Sequence, residues 1–299
     1  MNKLSNCWMT LLLLCAADFA IAQSTPMQVV TRTVEKTLPY RSGSEVNIEG
    51  EKAEIVVETW DRNEVKIVLE LVAKHPDRAV AERDVKSIKF SIDQHGDMIY
   101  FRNYISPDEG QPKPESTLKA IYTVTLPDEC PLYLKNYFGL ANVSNLSRFL
   151  RLRTEFSNVF LQNLSGDIGL TTRFGDLNAQ GLSGTVSIDA RRSDITLHDI
   201  SGDFDIRSTY GIIKLFTDES LVNLNIEAEK SDVYFFDPKP GIYGYTLTAH
   251  YGNISVPNDL KFNFLENSSA TKRWKFSPTK EMATISIKIS FGDIVIRNP

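Results

Sequence analysis

Hydrophobic and polar positions between Leu132 and Asn223 recur every 18 residues. Rows starting at Leu132, Leu150, Ile168 and Val186 superpose as LYLKNYFGLANVSNLSRF, LRLRTEFSNVFLQNLSGD, IGLTTRFGDLNAQGLSGT and VSIDARRSDITLHDISGD, and a fifth from Phe204 ends with two extra residues. Numbered from zero, columns 0, 2, 9 and 11 are almost all apolar, and columns 7 and 16 are mostly Gly or Ser. Each row therefore reads as two nine-residue halves, a short alternating strand closed by a small turn residue. Alternation turns columns 0 and 2 inward and column 1 (Tyr133, Arg151, Ser187, Asp205) toward water. One half cannot bury its apolar side alone, whereas coils stacked at about 4.8 Å share one interior. The pattern predicts an all-β chain, a β-solenoid (β-helix) of about 18-residue coils.

The same offsets appear outside this block. Val46, Ile48, Ile55 and Val57 form one early coil, and further rows start at Leu224, Tyr245 and Ile285. One early and eight later coils would give a rod of roughly 40 Å. Between them the repeat breaks. Val65–Leu71 reads as a long strand ended by His75-Pro76, and Asp77–Ser87 as the single helix. Lys89–Asp93 and Met98–Tyr104 read as a hairpin, Ser106–Ser116 as a Pro- and Gly-rich loop, and Leu118–Leu126 as another strand. This is an N-terminal antiparallel strand excursion containing one helix, which either caps the coil end or extends its sheets. The expected organisation is 1–22 signal peptide, 23–45 loose lead-in, 46–64 early coil, 65–131 excursion and 132–299 solenoid.

The leader rests on Lys3, the apolar run around Trp8–Leu14, and Ala20-Ile21-Ala22 before Gln23. Lipidation at Cys15 is the alternative, opposed by Leu14 where a small residue is needed. No later apolar run is long enough to span a bilayer. The expectation is export to the periplasm, the cell surface or the medium. Of three cysteines, Cys130 alone lies beyond the leader, so the core must hold the chain without an intrachain disulfide. Net charge is −5, with no basic face for nucleic acid.

Candidate chemistry is sparse. His75, His95, His198 and His250 share no column, and no nucleophile elbow or zinc-helix motif occurs. Column 7 suits tight corners, where Gly takes positive φ freely. Column 6 (Phe138, Phe156, Phe174, Arg192, Tyr210, Lys230, Tyr251, Phe291) reads either as a stack closing a corner or as an exposed strip for sugars, which Arg192 and Lys230 interrupt. Column 8 places Asp176 and Asp194 on adjacent coils, beside Arg173 and Arg191 of column 5. These four form the candidate ligand or cation face. Calcium suits two close carboxylates, but no half-repeat carries the nonapeptide calcium motif, and Asp or Asn capping of turns accounts for the column without an ion.

The segment I-x-G-x-x-x-E-I-x-V-x-x-W-D of Ile48–Asp61, followed by turns such as Gly166-Asp167-Ile168, Gly175-Asp176-Leu177, Ser193-Asp194-Ile195 and Gly292-Asp293-Ile294, resembles a candidate-adhesin β-strand-repeat family of the DUF4097 type. That group is related to the auto-transporter adhesin head (GIN) domains. The resemblance covers most of Val46–Pro299 and implies a right-handed β-solenoid with no catalytic residues to transfer. The functional expectation is a non-enzymatic, exported protein binding a protein or glycan partner. The alternatives are a polysaccharide-binding or polysaccharide-cleaving protein and a structural spacer.

Overall fold

The computed structural model describes residues 26–218, 220–280 and 282–298. The expected signal peptide lies outside them. The strands are β1 (Gln28–Pro39), β2 (Glu45–Glu51), β3 (Ala53–Trp60), β4 (Glu64–His75), β5 (Ile88–His95), β6 (Met98–Ile105), β7 (Thr117–Pro127), β8 (Leu132–Ser144), β9 (Phe149–Arg173) and β10 (Leu177–Arg191). They continue with β11 (Ile195–His198), β12 (Ser201–Phe216), β13 (Val222–Phe236), β14 (Tyr243–His250), β15 (Ile254–Ser255), β16 (Asn263–Asn267), β17 (Thr271–Phe276), β18 (Ala283–Ser290) and β19 (Ile294–Arg297). One helix, α1 (Arg78–Asp84), is capped by the Asp77 carboxylate on the Ala79 N–H and runs into a 3-10 turn at Val85–Ser87. All 19 strands join one hydrogen-bonded sheet that winds into an all-β solenoid.

From β8 to β12 the coils pair in parallel with the 18-residue offset of the rows, for example Leu132 with Leu150 and Leu177 with Ile195. The two extra residues of the Phe204 row reappear as a 20-residue offset between β12 and β13. Columns 0, 2, 9 and 11 are buried: Leu150, Leu152, Val159 and Leu161 are each at most 3% exposed. Each such side chain contributes on the order of 1.5–3 kcal/mol on burial. Two further inward columns escaped the four-column pattern. Column 14 (Leu146, Leu164, Leu182, Ile200) lines a short third side, and column 4 (Asn136, Thr154, Thr172, Ala190, Ser208) is buried although mostly polar. The column 4 hydroxyls are bonded locally, Thr154 Oγ1 donating to Thr172 Oγ1 and that of Thr172 to the Gly175 carbonyl, while Asn136 donates to the Ala53 and Leu140 carbonyls and its Oδ1 has no partner among the described residues.

Spatial order departs from chain order at both ends. The early coil β2–β3 does not stand first. It is held between β8 on one side and a coil made of β6 and β7 on the other, all in parallel. Likewise β18–β19 inserts between β13 and the coil β14–β15, so the Ile285 row precedes the Tyr245 row in space.

The 65–131 excursion therefore does both things expected of it. β6 and β7 extend the sheets in parallel, while β4 and β5 close them antiparallel. The 23–45 stretch, read as a loose lead-in, instead forms the 12-residue strand β1 along β4. Val30 and Val34 turn its apolar alternation toward the core, a signal too dilute among charges to stand out. At the far end β17 and β16 fold back antiparallel over β14.

Candidate binding faces

The corner between the two main sides is built by column 6. Phe138, Phe156, Phe174, Arg192, Tyr210, Lys230, Tyr251 and Phe291 all have φ between 51 and 61°. The positive φ expected of the column 7 glycines sits one residue earlier, on bulky side chains. Column 7 is small for a different reason: a Cβ on Gly175 would lie 2.1 Å from the Ser157 carbonyl oxygen, and one on Gly211 would lie 2.2 Å from that of Ser193. The left-handed residue turns the chain, and the coils then approach too closely for a side chain except Ser.

The turn swings column 6 outward. Phe138 stacks on Phe156 at 4.9 Å, and Phe156 on Phe174 at 4.8 Å. Arg192 lies over both Phe174 and Tyr210, and Lys230 lies over Tyr210 while donating to its hydroxyl at 2.8 Å. That hydrogen bond raises the Lys230 pKa. Arg192 and Lys230 are thus rungs of the ladder through cation–π contact. The rings remain 41–65% exposed, so the column is an exposed strip as well as a stack. Ring faces are covered by the next rung, and the strip offers edges to a partner.

Column 8 forms a second ladder beside it. The Asp176 N–H donates to Asn158 Oδ1 at 3.1 Å, and the Asp194 N–H to Asp176 Oδ1 at 3.0 Å. The Ile212 N–H continues onto Asp194 Oδ1 at 2.8 Å. Asp176 and Asp194 are exposed and adjacent as expected, but they bind the next coil's backbone rather than their own turn. Arg173 and Arg191 are register partners; Arg173 approaches Glu155 at 3.7 Å, and Arg191 has no ion pair among the described residues. No three His, Cys, Asp or Glu among the described residues are grouped to hold a metal ion.

Outward columns line several troughs, among them the following three. One of about 430 Å³ at the N-terminal cap is lined by His95, Tyr100, Arg102, Tyr133 and Lys135. Tyr133 and Lys135 also line a neighbouring trough of about 420 Å³, with Arg151 and Arg153. The third, about 410 Å³, crosses β8–β11 on the opposite side and is lined by Phe160, His198 and the side chains of Asn, Gln and Thr residues around them. The sequence reading passed over it, because its columns 10 and 12 hold unlike residues: Asn, Phe and Thr in one, Ser, Gln and His in the other.

Perturbed titratable groups do not gather at any trough. Burial raises the phenols of Tyr122, Tyr243 and Tyr245, and pushes the Cys130 thiol up to about 12. Tyr243 also donates to Asp237 at 2.9 Å, inside the C-terminal end. Asp84 sits in the N-terminal cap, where it accepts from Arg83 and from the N–H groups of Glu115 and Ser116. Among the described residues no helix is long and apolar enough to cross a membrane.

No curated protein matches the chain. Among solved structures, it aligns with a candidate adhesin from Parabacteroides distasonis at 8% identity and a TM-score of 0.38, covering 90% of this chain and 97% of that one. A candidate lipid-binding protein from the same species aligns at 11% identity and 0.38, covering 90% and 96%. A candidate cell adhesion protein from Clostridium sporogenes aligns at 10% identity and 0.26, covering 90% and 100%. The family profile described as Toastrack DUF4097 matches residues 44–297, from the early coil to the last strand, and the chain belongs to that family.

Proposed function

We propose that this chain is an exported, non-enzymatic, adhesin-like solenoid that binds a protein or glycan partner at the bacterial envelope or surface. One observation carries the reading. The outward columns keep the register of the core, so exposed chemistry repeats from coil to coil along one line, as in the ladder from Phe138 to Lys230. A regularly spaced row of like groups suits an extended or polymeric partner. The dispersal of perturbed titratable groups supports a role without catalysis.

Fractionation of cells carrying the tagged chain, followed by crosslinking and a glycan array with and without calcium, tests the proposal. Recovery outside the cytoplasm with a crosslinked partner or a bound glycan is the expected result. Cytoplasmic retention would overturn the export part, and neither partner nor glycan would leave only the spacer reading. The unpaired Arg191 beside Arg173, Asp176 and Asp194 favours an acidic polysaccharide as a second reading. Release of unsaturated sugars from pectin or alginate would convert that reading into an enzyme and overturn the first.

A further inference from the structure

We infer that the trough across β8–β11 is a binding site for a neutral oligosaccharide; this rests on the binding role proposed above and names its ligand class. Its floor is set by strand alternation. Columns 9 and 11 point into the core, so columns 10 and 12 point out, and four adjacent coils bring Asn142, Phe160, Gln162, Asn178, Gln180 and His198 to one face. No Lys, Arg, Asp or Glu lines it.

Three features point to a polyol. First, the side-chain amides of Asn142, Gln162 and Asn178 have no hydrogen-bond partner within the protein among the described residues. Each presents two donors and an acceptor, a set that answers hydroxyl groups serving as both. Second, Phe160 is 43% exposed and has no aromatic neighbour among the described residues. Unlike the rings of column 6, it has amides rather than rings as its rung neighbours, Asn142 and Asn178, and its exposed part can receive the apolar side of a pyranose. Third, the margins carry acid. Asp176 and Asp194 lie in the adjacent outward column 8, and Asp199 at the other edge accepts from Gln180 at 2.9 Å. Carboxylates on both margins repel an acidic chain and accept hydroxyls from a neutral one. The rungs recur at about 4.8 Å, close to the length of one sugar unit, so successive amides meet successive residues of a linear chain.

The test is an NMR titration of the full chain with cellohexaose, mannohexaose and chitohexaose, with hexagalacturonate as the charged control. At least one neutral hexasaccharide is expected to shift the side-chain amide signals of Asn142, Gln162 and Asn178, and Phe160→Ala to weaken that binding about tenfold. Phe160 is exposed, so the variant should melt with the parent; if it does not, Asn178→Ala carries the same comparison. Silence from all three neutral sugars, equal shifts from hexagalacturonate, or shifts confined to another face would each overturn the site. A partner found by crosslinking despite such a result would leave the binding role standing and remove only this ligand.

Discussion

Asp176 and Asp194 are joined through the backbone, one carboxylate oxygen of the first receiving the N–H of the second at 3.0 Å. The ladder needs an acceptor at column 8 and does not need a charge. Asp176→Asn should keep stability within a few tenths of a kcal/mol, whereas Asp176→Ala should cost roughly 0.5–1.5 kcal/mol. Urea denaturation separates the two. The double variant Asp176→Asn, Asp194→Asn also tests calcium: parent and variant should melt alike with and without the ion, and a calcium-dependent rise confined to the parent would establish an ion on the ladder.

Gly175 and Gly169 look alike in sequence but meet different obstacles. A Cβ at Gly175 strikes the Ser157 backbone, while one at Gly169 strikes the movable guanidinium of Arg151. Gly175→Ala should lose about 1–3 kcal/mol. Gly169→Ala should stay within about 0.5 kcal/mol of the parent. Thermal or urea unfolding of the pair reads the difference directly.

Coupling along the aromatic corner should extend one rung only. A double-mutant cycle of Phe156→Ala with Phe174→Ala should give a coupling of about 0.5–1.5 kcal/mol. The cycle of Phe138→Ala with Phe174→Ala should give nearly none, because Phe156 lies between them.

The N-terminal cap should weaken in acid through Asp84. Burial alone would raise its pKa, but the Arg83 guanidinium and the N–H groups of Ser116 and Glu115 outweigh it and lower the carboxyl from 3.8 to about 2. The folded state is thus the one with the depressed value. Its contribution is fully present above pH 3.8 and is lost as pH falls toward about 2. Stability measured across that window should fall less steeply for Asp84→Asn, which should also open the 106–116 loop to limited proteolysis at neutral pH.

What the sequence exposed and what it hid follow from one cause. Residues that face the core of a solenoid obey the period of the coil, so Leu150, Leu152, Val159 and Leu161 announced themselves. Thr154 and Thr172 are as buried as these, yet their hydroxyls are satisfied inside, and polarity disguised their direction. The column 6 turn was visible as a line of aromatics, but a Phe in left-handed backbone runs against local preference. Only the clash at Gly175 explains why the next residue is the small one. The neutral trough was hidden because hydrogen-bonding capacity repeats there while residue identity does not. Asp176, Asp194, Arg173 and Arg191 stand out by identity, and the two carboxylates lie in the column 8 ladder.

Both terminal coils are wedged inward, β2–β3 beneath β6–β7 and β18–β19 beneath β14–β15. Such a stack cannot be completed in the order in which the chain emerges during synthesis or translocation. The slot for the last coil must stay open until Ala283–Arg297 arrives, so the C-terminal segment acts as a keystone that completes the stack last. The same wedging fixes where the rod can grow: a duplicated 18-residue unit is accommodated between β8 and β12, where neighbours in space are also neighbours in sequence, and nowhere beyond the ends.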